Sequence, residues 1–293
     1  MIDLIRDSQR DAAAWTRRLL ADGYCVIPDL APAAARALDA DLARDFVETP
    51  FCEGGFYGAR TRRFGRLLAR SRHAETLVRH KTVTDIVERI LSPWCDNVQL
   101  NLTQAIALHP GALPQLAHRD QDMWRGDTGR IEYLVNVMWP FTPYRADNGA
   151  TLVWPNSHGA RALYPEPASD GIAVEMAPGS ALLFLGSTLH GAGGNISGDV
   201  RRGCIVSYCL GWLKPYENQW LAYPPDVARH FSPELAALVG YRQHRPNLGN
   251  YEGRCPSLLL QDDVPARLAA IDALRPDQAA LVAEHVARQR DAA

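Results

Sequence analysis

SALLFLGSTLHGAGGNISGDVRRGCIVSYCLGWL, residues 180–213, decides the fold. Its two ends, 180–186 and 202–213, are apolar runs of strand length. Between them lies the glycine- and asparagine-rich GAGGNISGD of 191–199, which is turn chemistry. The same texture extends back through VQLNLTQAIALH (98–109), IEYLVNVMW (131–139), ATLVWP (150–155) and GIAVEM (171–176), punctuated at HPGALP (109–114), RADNGA (145–150) and APGS (177–180). Many short strands with turns between them argue for a sandwich or barrel, for which a jelly roll is the natural candidate. No strand–helix–strand alternation occurs in this stretch, so a doubly wound fold is not expected.

Outward from the strands the period changes. Residues 8–48 read as helical, with Trp15, Leu19 and Leu20 on one stripe, a break at Gly23 and a short strand YCVIP (24–28) before a helix over 33–46. Residues 50–65 combine four glycines with Phe51, Phe56, Tyr57 and Phe64 and read as a mobile loop with aromatic contacts. A helix is predicted over 75–91, its apolar stripe at Leu77, Val78, Val83, Ile86 and Ile90. Beyond Trp220 helical character returns at 226–239 and 264–288. The expectation is one domain over 1–293: a helical part to about 95, a β core over about 96–220, and a helical part from about 221.

Composition narrows the function classes. The chain has 293 residues, 47% hydrophobic and 22% charged, ordinary for a globular protein. A formal net charge of -2 offers no broad field for nucleic acid or an anionic membrane. No apolar run approaches the ~20 residues that span a bilayer. The charged start MIDLIRDSQRDAAAWTRR has no apolar core of a signal peptide, and the six cysteines form no CxxC pair. A reduced, cytoplasmic protein is the expectation.

The chemistry is concentrated in LAHRDQDMW (116–124), where His118 and Asp120 stand two apart. In extended chain, positions i and i+2 point to one side, so an imidazole and a carboxylate can converge on one ion. His190 follows at the end of SALLFLGSTL. Two histidines and a carboxylate form the facial triad that leaves open positions on non-haem Fe(II), room for a chelating keto-acid and O2. An HxD pair alone is weak evidence, since a surface histidine beside a solvated aspartate looks the same. The signal sharpens with Arg201, eleven residues after His190 in DVRRGCIVSY, whose planar fork matches a carboxylate. Neighbours on a strand face opposite sides, so only one of Arg201 and Arg202 can point to the site.

With these residues in hand, the chain resembles the phytanoyl-CoA dioxygenase superfamily, in particular the fungal and bacterial branch that tailors terpenoids and alkaloids. The resemblance covers residues 15–241 through TRRFGRLLARS (61–71), QLNLTQAIALHPGALPQLAHRDQDMW (99–124), DNGATLVWPNSHG (147–159), PGSALLFLGSTLHGAGGNISGDVRRG (178–203) and YCLGWLKPYENQWL (208–221). It implies a mainly β fold, a double-stranded β-helix core with flanking helices. It also implies Fe(II) on His118, Asp120 and His190, and 2-oxoglutarate on Arg201 rather than Arg202. Gln115 and Thr151 match positions near the co-substrate. Two departures stand out: the usual HRDD is His118-Arg119-Asp120-Gln121 here, and PGSH is Pro155-Asn156-Ser157-His158. Neither removes a ligand.

The implied activity is oxidation of a small, largely hydrophobic metabolite with release of succinate and CO2, hydroxylation being the default outcome. Desaturation, epoxidation and rearrangement remain open. Relatives' habits and the helical C-terminal part add a homodimer. A zinc hydrolase would have no use for an arginine at this spacing, and a halogenase would vacate the position that Asp120 keeps. A non-catalytic binding protein on the same scaffold is the alternative from a different class. His158 reads as structural or substrate-facing, His109 as structural, and the histidines of the helical segments as surface residues. The basic run ARTRRFGRLLARSR (59–72) reads as a solvated face. Among Phe56, Tyr57, Met123, Trp124 and Tyr133, Trp124 is the expected substrate contact because it lies close to the HxD pair.

Overall fold

A computed structural model describes residues 11–164 and 170–292. The charged N-terminal stretch before residue 11, including residues 8–10 of the expected helix, lies outside the described residues. Helix α1 (Ala12–Asp22) starts where the Asp11 carboxylate accepts the N–H groups of Ala13 and Ala14, each at 3.0 Å. It stops at Gly23, whose φ of 84° closes the helix through a bond to the Leu19 carbonyl. There follow β1 (Tyr24–Ile27), α2 (Pro32–Asp41), α3 (Ala43–Glu48), β2 (Thr61–Phe64), α4 (Leu67–Arg70), α5 (His73–Val78) and α6 (Lys81–Leu91). The strands then run β3 (Val98–Leu108), β4 (Leu134–Pro140), β5 (Thr151–Val153), β6 (Ile172–Ala173), β7 (Ala181–Leu185), β8 (His190–Ala192) and β9 (Arg201–Leu210).

These strands form two antiparallel sheets, a six-stranded one of order β1-β7-β4-β9-β3-β2 and a three-stranded one of order β6-β5-β8. Alternation divides the large sheet into two faces, and a bulge in β3 between Leu100 and Leu102 sets those two on opposite ones. Leu100, Val135, Val137, Leu183, Cys204, Val206 and Tyr208 face the helices and join the core with Leu38, Leu77, Ile86 and Leu91. Leu102, Ile106, Met138, Leu182, Phe184 and Ile205 face the small sheet and meet Val153, Val174 and Met176. Strands covered on both faces read as near-continuous apolar runs, which is why β4, β7 and β9 stand out in the sequence.

Three expectations change. Residues 61–64, read as part of a loop, form β2, an edge strand pairing with β3. The helices expected over 33–46 and 75–91 are each two, broken at Leu42 between α2 and α3 and at Arg79 and His80 between α5 and α6. The C-terminal stretches are shorter than read: α7 (Gln219–Ala222), α8 (Pro225–Ala228) and α9 (Pro233–Leu238) precede α10 (Pro276–Asp291), which buries none of its residues. Among the described residues no helix is long and apolar enough to cross a membrane.

Leu183 is fully buried between β1 and β4 on the helix face. Leu183→Ala is expected to remove about 2–5 kcal/mol of unfolding free energy, measured as a lower urea midpoint at unchanged slope.

Candidate metal centre

Two segments distant in sequence meet at the β8 edge of the small sheet. His118 and His190 form an antiparallel bridge, the His118 N–H donating to the His190 carbonyl at 2.9 Å and the reverse bond spanning 3.0 Å. Such a mutually bonded pair presents both side chains on one face, and the two imidazole centroids stand 4.4 Å apart. Arg119 is extended and Asp120 opens a 3-10 turn over Asp120–Met123, so alternation returns the carboxylate to the same side. Asp120 Oδ1 lies 3.4 Å from His118 Nε2, and Oδ2 lies 3.5 Å from His190 Nε2. One ligand atom from each residue falls within 4.8 Å of the others.

Tautomers are set by the backbone. Nδ1 of His118 meets the Leu116 carbonyl at 2.8 Å, and Nδ1 of His190 meets the Thr188 carbonyl at 3.0 Å. A carbonyl only accepts, so both Nδ1 atoms carry protons and both Nε2 lone pairs face the carboxylate. Lone pairs aimed at an anion are repulsive unless a cation or a proton sits among them, which is the arrangement of a metal site. Where no cation is bound a proton takes its place, and the titration of the groups shows that pull. Burial acts to lower the His118 pKa, yet its hydrogen bond to Asp120 and that residue's charge raise it. Burial acts to raise the Asp120 pKa, and the two histidines overcome it and hold the carboxyl far below the usual carboxylate range.

The adjoining pocket carries the charge that complements this centre. Arg201 is 2% exposed on the pocket face of β9, while Arg202 faces the helices and pairs with Asp39 of α2 at 2.8 Å. The Arg201 Nε and Nη2 donate to the Gly149 carbonyl at 3.1 and 2.6 Å, and Nη1 donates to the Tyr144 hydroxyl at 3.0 Å. The guanidinium also stacks on the Tyr144 ring, 4.2 Å from its centroid. Of five N–H groups, two remain for a ligand. No carboxylate pairs with Arg201 among the described residues, so a buried charge faces the pocket without a counter-ion. Gln115 and Thr151 line the same pocket, and the Gln115 side-chain oxygen Oε1 accepts the Ala192 N–H at 3.3 Å.

Several contributors had no distinct signal in the sequence. Arg63, inside the basic run read as a solvated face, lies in register with Ile106 and lines the pocket. It donates to Gln104 at 3.3 Å, lies over the Tyr57 ring and has no acid partner among the described residues. Asn136, on the pocket face of β4, donates to Asp120 Oδ2 at 2.9 Å. Phe56 packs edge-on against His118, and the Tyr57 and Tyr216 hydroxyls meet in a short hydrogen bond. Met123, Phe56 and Tyr57 line the pocket, whereas Trp124 does not. The Trp124 indole donates to the Lys214 carbonyl and packs on the core beneath the helices with Tyr133. Trp124 follows the 3-10 turn of Asp120–Met123 in extended backbone. His158 bonds the Leu20 carbonyl, His109 packs on Phe51, and His244, read as a surface residue, is buried and accepts the Asp96 N–H.

Comparison with known proteins agrees with this geometry. The phytanoyl-CoA dioxygenase (PhyH) family profile matches residues 19–203. Dioxygenase cdmD of Talaromyces verruculosus is 31% identical over 174 residues, a match that spans 57% of this chain and only 56% of that protein. Dioxygenase trt7 of Aspergillus terreus is 27% identical over 75% of this chain and 81% of its own length. Multifunctional dioxygenase ausE of Aspergillus calidoustus is 28% identical over 75% and 80%. Among solved structures, the non-heme alpha ketoglutarate dependent epimerase SnoN from nogalamycin biosynthesis superposes with a TM-score of 0.56 at 18% identity, covering 68% of this chain and 83% of that one. HygX from Streptomyces hygroscopicus, solved with nickel and 2-oxoglutarate bound, superposes with a TM-score of 0.56 at 16% identity over 70% and 89%. The chain belongs to the phytanoyl-CoA dioxygenase (PhyH) family of oxidoreductases.

Proposed function

We propose that this protein is an Fe(II)- and 2-oxoglutarate-dependent dioxygenase acting on a small, largely hydrophobic metabolite of natural-product biosynthesis. His118 Nε2, an Asp120 carboxylate oxygen and His190 Nε2 are the atoms that would hold the iron. The two sheets are read as the jelly roll, or double-stranded β-helix, in which such triads sit. When bound, iron supplies activation of O2 coupled to oxidative decarboxylation of 2-oxoglutarate to succinate and CO2.

The observation that carries this reading is Arg201, a buried guanidinium with two unused N–H groups and no acid partner among the described residues, on the same pocket as the triad. Its task is to grip the distal carboxylate of the keto-acid. Thr151 and Gln115 flank that position, and Arg63 places a second positive charge on the same wall. A zinc hydrolase leaves both arginines unexplained. Substrate contact falls to Phe56, Tyr57, Met123 and Tyr216 at the mouth. Their apolar surface suits a terpenoid, polyketide or alkaloid scaffold, in keeping with relatives named as dioxygenases and with a neighbour from nogalamycin biosynthesis. That neighbour is titled an epimerase, so hydroxylation, desaturation, epoxidation and rearrangement all fall within reach of the scaffold. A homodimer remains part of the reading, because α10 buries none of its residues within one chain.

Succinate release from 2-oxoglutarate tests the assignment. His118→Ala and Asp120→Ala are expected to abolish it, and a normal rate in either would remove that residue from the ligand set. Arg201→Ala is expected to raise the 2-oxoglutarate KM about 30-fold or more, the equivalent of about 2 kcal/mol for a lost buried charge partner. Arg202→Ala should leave the KM near the parent value, and the reverse ranking would exchange their roles. Arg63→Gln should weaken 2-oxoglutarate binding without loosening the metal, as read from Fe(II) dependence at saturating co-substrate. For the dimer, light scattering should give twice the chain mass, and a chain ending before α10 should give one.

A further inference from the structure

β4 reads LVNVMWP, and its only polar side chain is Asn136. Asn136 is 0% exposed, and alternation sends it to the pocket face while Val135 and Val137 join the core under the helices. Its Nδ2 donates to Asp120 Oδ2 at 2.9 Å, and its Oδ1 has no hydrogen-bond partner among the described residues. A buried amide that leaves one end unbonded is a net cost to the fold, where a leucine of similar shape would pack without it. Its one polar contact is with the carboxylate of the metal centre. That contact also fixes the amide's orientation, because the opposite flip would set two oxygens against each other.

The contact has a consequence for coordination. A site with room for a chelating keto-acid and O2 must take one oxygen from its carboxylate, since two would consume an open position. Asp120 has Oδ1 3.4 Å from His118 Nε2 and Oδ2 3.5 Å from His190 Nε2, and of the two oxygens Oδ2 is the one that carries the Asn136 bond. We propose that Asn136 is the positioning residue of the metal carboxylate, holding Oδ2 so that Asp120 serves as a one-oxygen ligand through Oδ1. This rests on the reading of His118, Asp120 and His190 as the ligand set. Ser207, in register with Asn136 on β9 and equally buried, bonds Asn101 at 2.9 Å instead and makes a matched control.

The test is anaerobic titration of the intact protein with Co(II), followed by its visible d–d absorption, together with thermal melting of each metal-free variant. Asn136→Leu and Asn136→Ser should bind Co(II) about 10- to 100-fold more weakly, with an altered d–d band, and the Leu variant should melt no lower than the parent. Ser207→Ala should bind as the parent does. In an Asp120→Ala background Asn136→Ser should cause no further loss. Parental affinity and an unchanged band in the Asn136 variants would overturn the proposal, as would an equal loss in Ser207→Ala. If the Leu variant does not fold, the smaller Ser variant carries the same comparison. Failure of the parent protein itself to bind Co(II) would instead bring down the ligand set, and the role of Asn136 with it.

Discussion

Two backbone hydrogen bonds between His118 and His190 are the constraint on which the site depends. They join an irregular segment to the edge of the small sheet, and in doing so place two imidazoles side by side. Everything nearby serves that pairing. The Leu116 and Thr188 carbonyls turn each ring so that Nε2 faces inward, and the 3-10 turn at Asp120 brings the carboxylate between them. Arg119, between His118 and Asp120, points away and donates to the carbonyls of Ser187 and Ser157. It ties that segment to the turn that precedes His190. The geometry therefore resides largely in the backbone of two segments.

Charge is the second organising feature. Among the described residues Asp120 is the one acidic residue on the pocket wall, whereas Arg63 and Arg201 both line it. A divalent cation on the triad would leave the pocket more positive still, a balance that a dicarboxylate restores and a neutral ligand does not. Phe56, Tyr57 and Tyr216 bring aromatic surface to the same pocket, Phe56 against His118 and the two tyrosine hydroxyls against each other.

Much of this was legible in the chain because burial on both faces leaves an unmistakable apolar run, as in β4, β7 and β9. The HxD spacing was legible for the same reason, since alternation in extended chain is a local property. Alternation also predicted that Arg201 and Arg202 would part, and they do, one to the pocket and one to Asp39. What escaped was whatever depends on register between strands. TRRF has no apolar pattern of its own, and only pairing with β3 makes it a strand and aims Arg63 inward. Asn136 looked like a lone polar residue in a core strand, because its partner lies 16 residues away in a different segment. Closeness in sequence also says little about which side chains share a pocket: Met123 lines it, and its neighbour Trp124 bonds the Lys214 carbonyl and packs beside Tyr133.

The central claim is that three side chains hold one ferrous ion with positions left beside it for a keto-acid. Anaerobic addition of Fe(II) and then 2-oxoglutarate tests it most directly, through the visible metal-to-ligand charge-transfer band of the chelate. The account predicts that the band appears in the parent protein, persists in Arg202→Ala and requires far more 2-oxoglutarate in Arg201→Ala. A folded parent protein that gives no band at saturating iron and 2-oxoglutarate would contradict it.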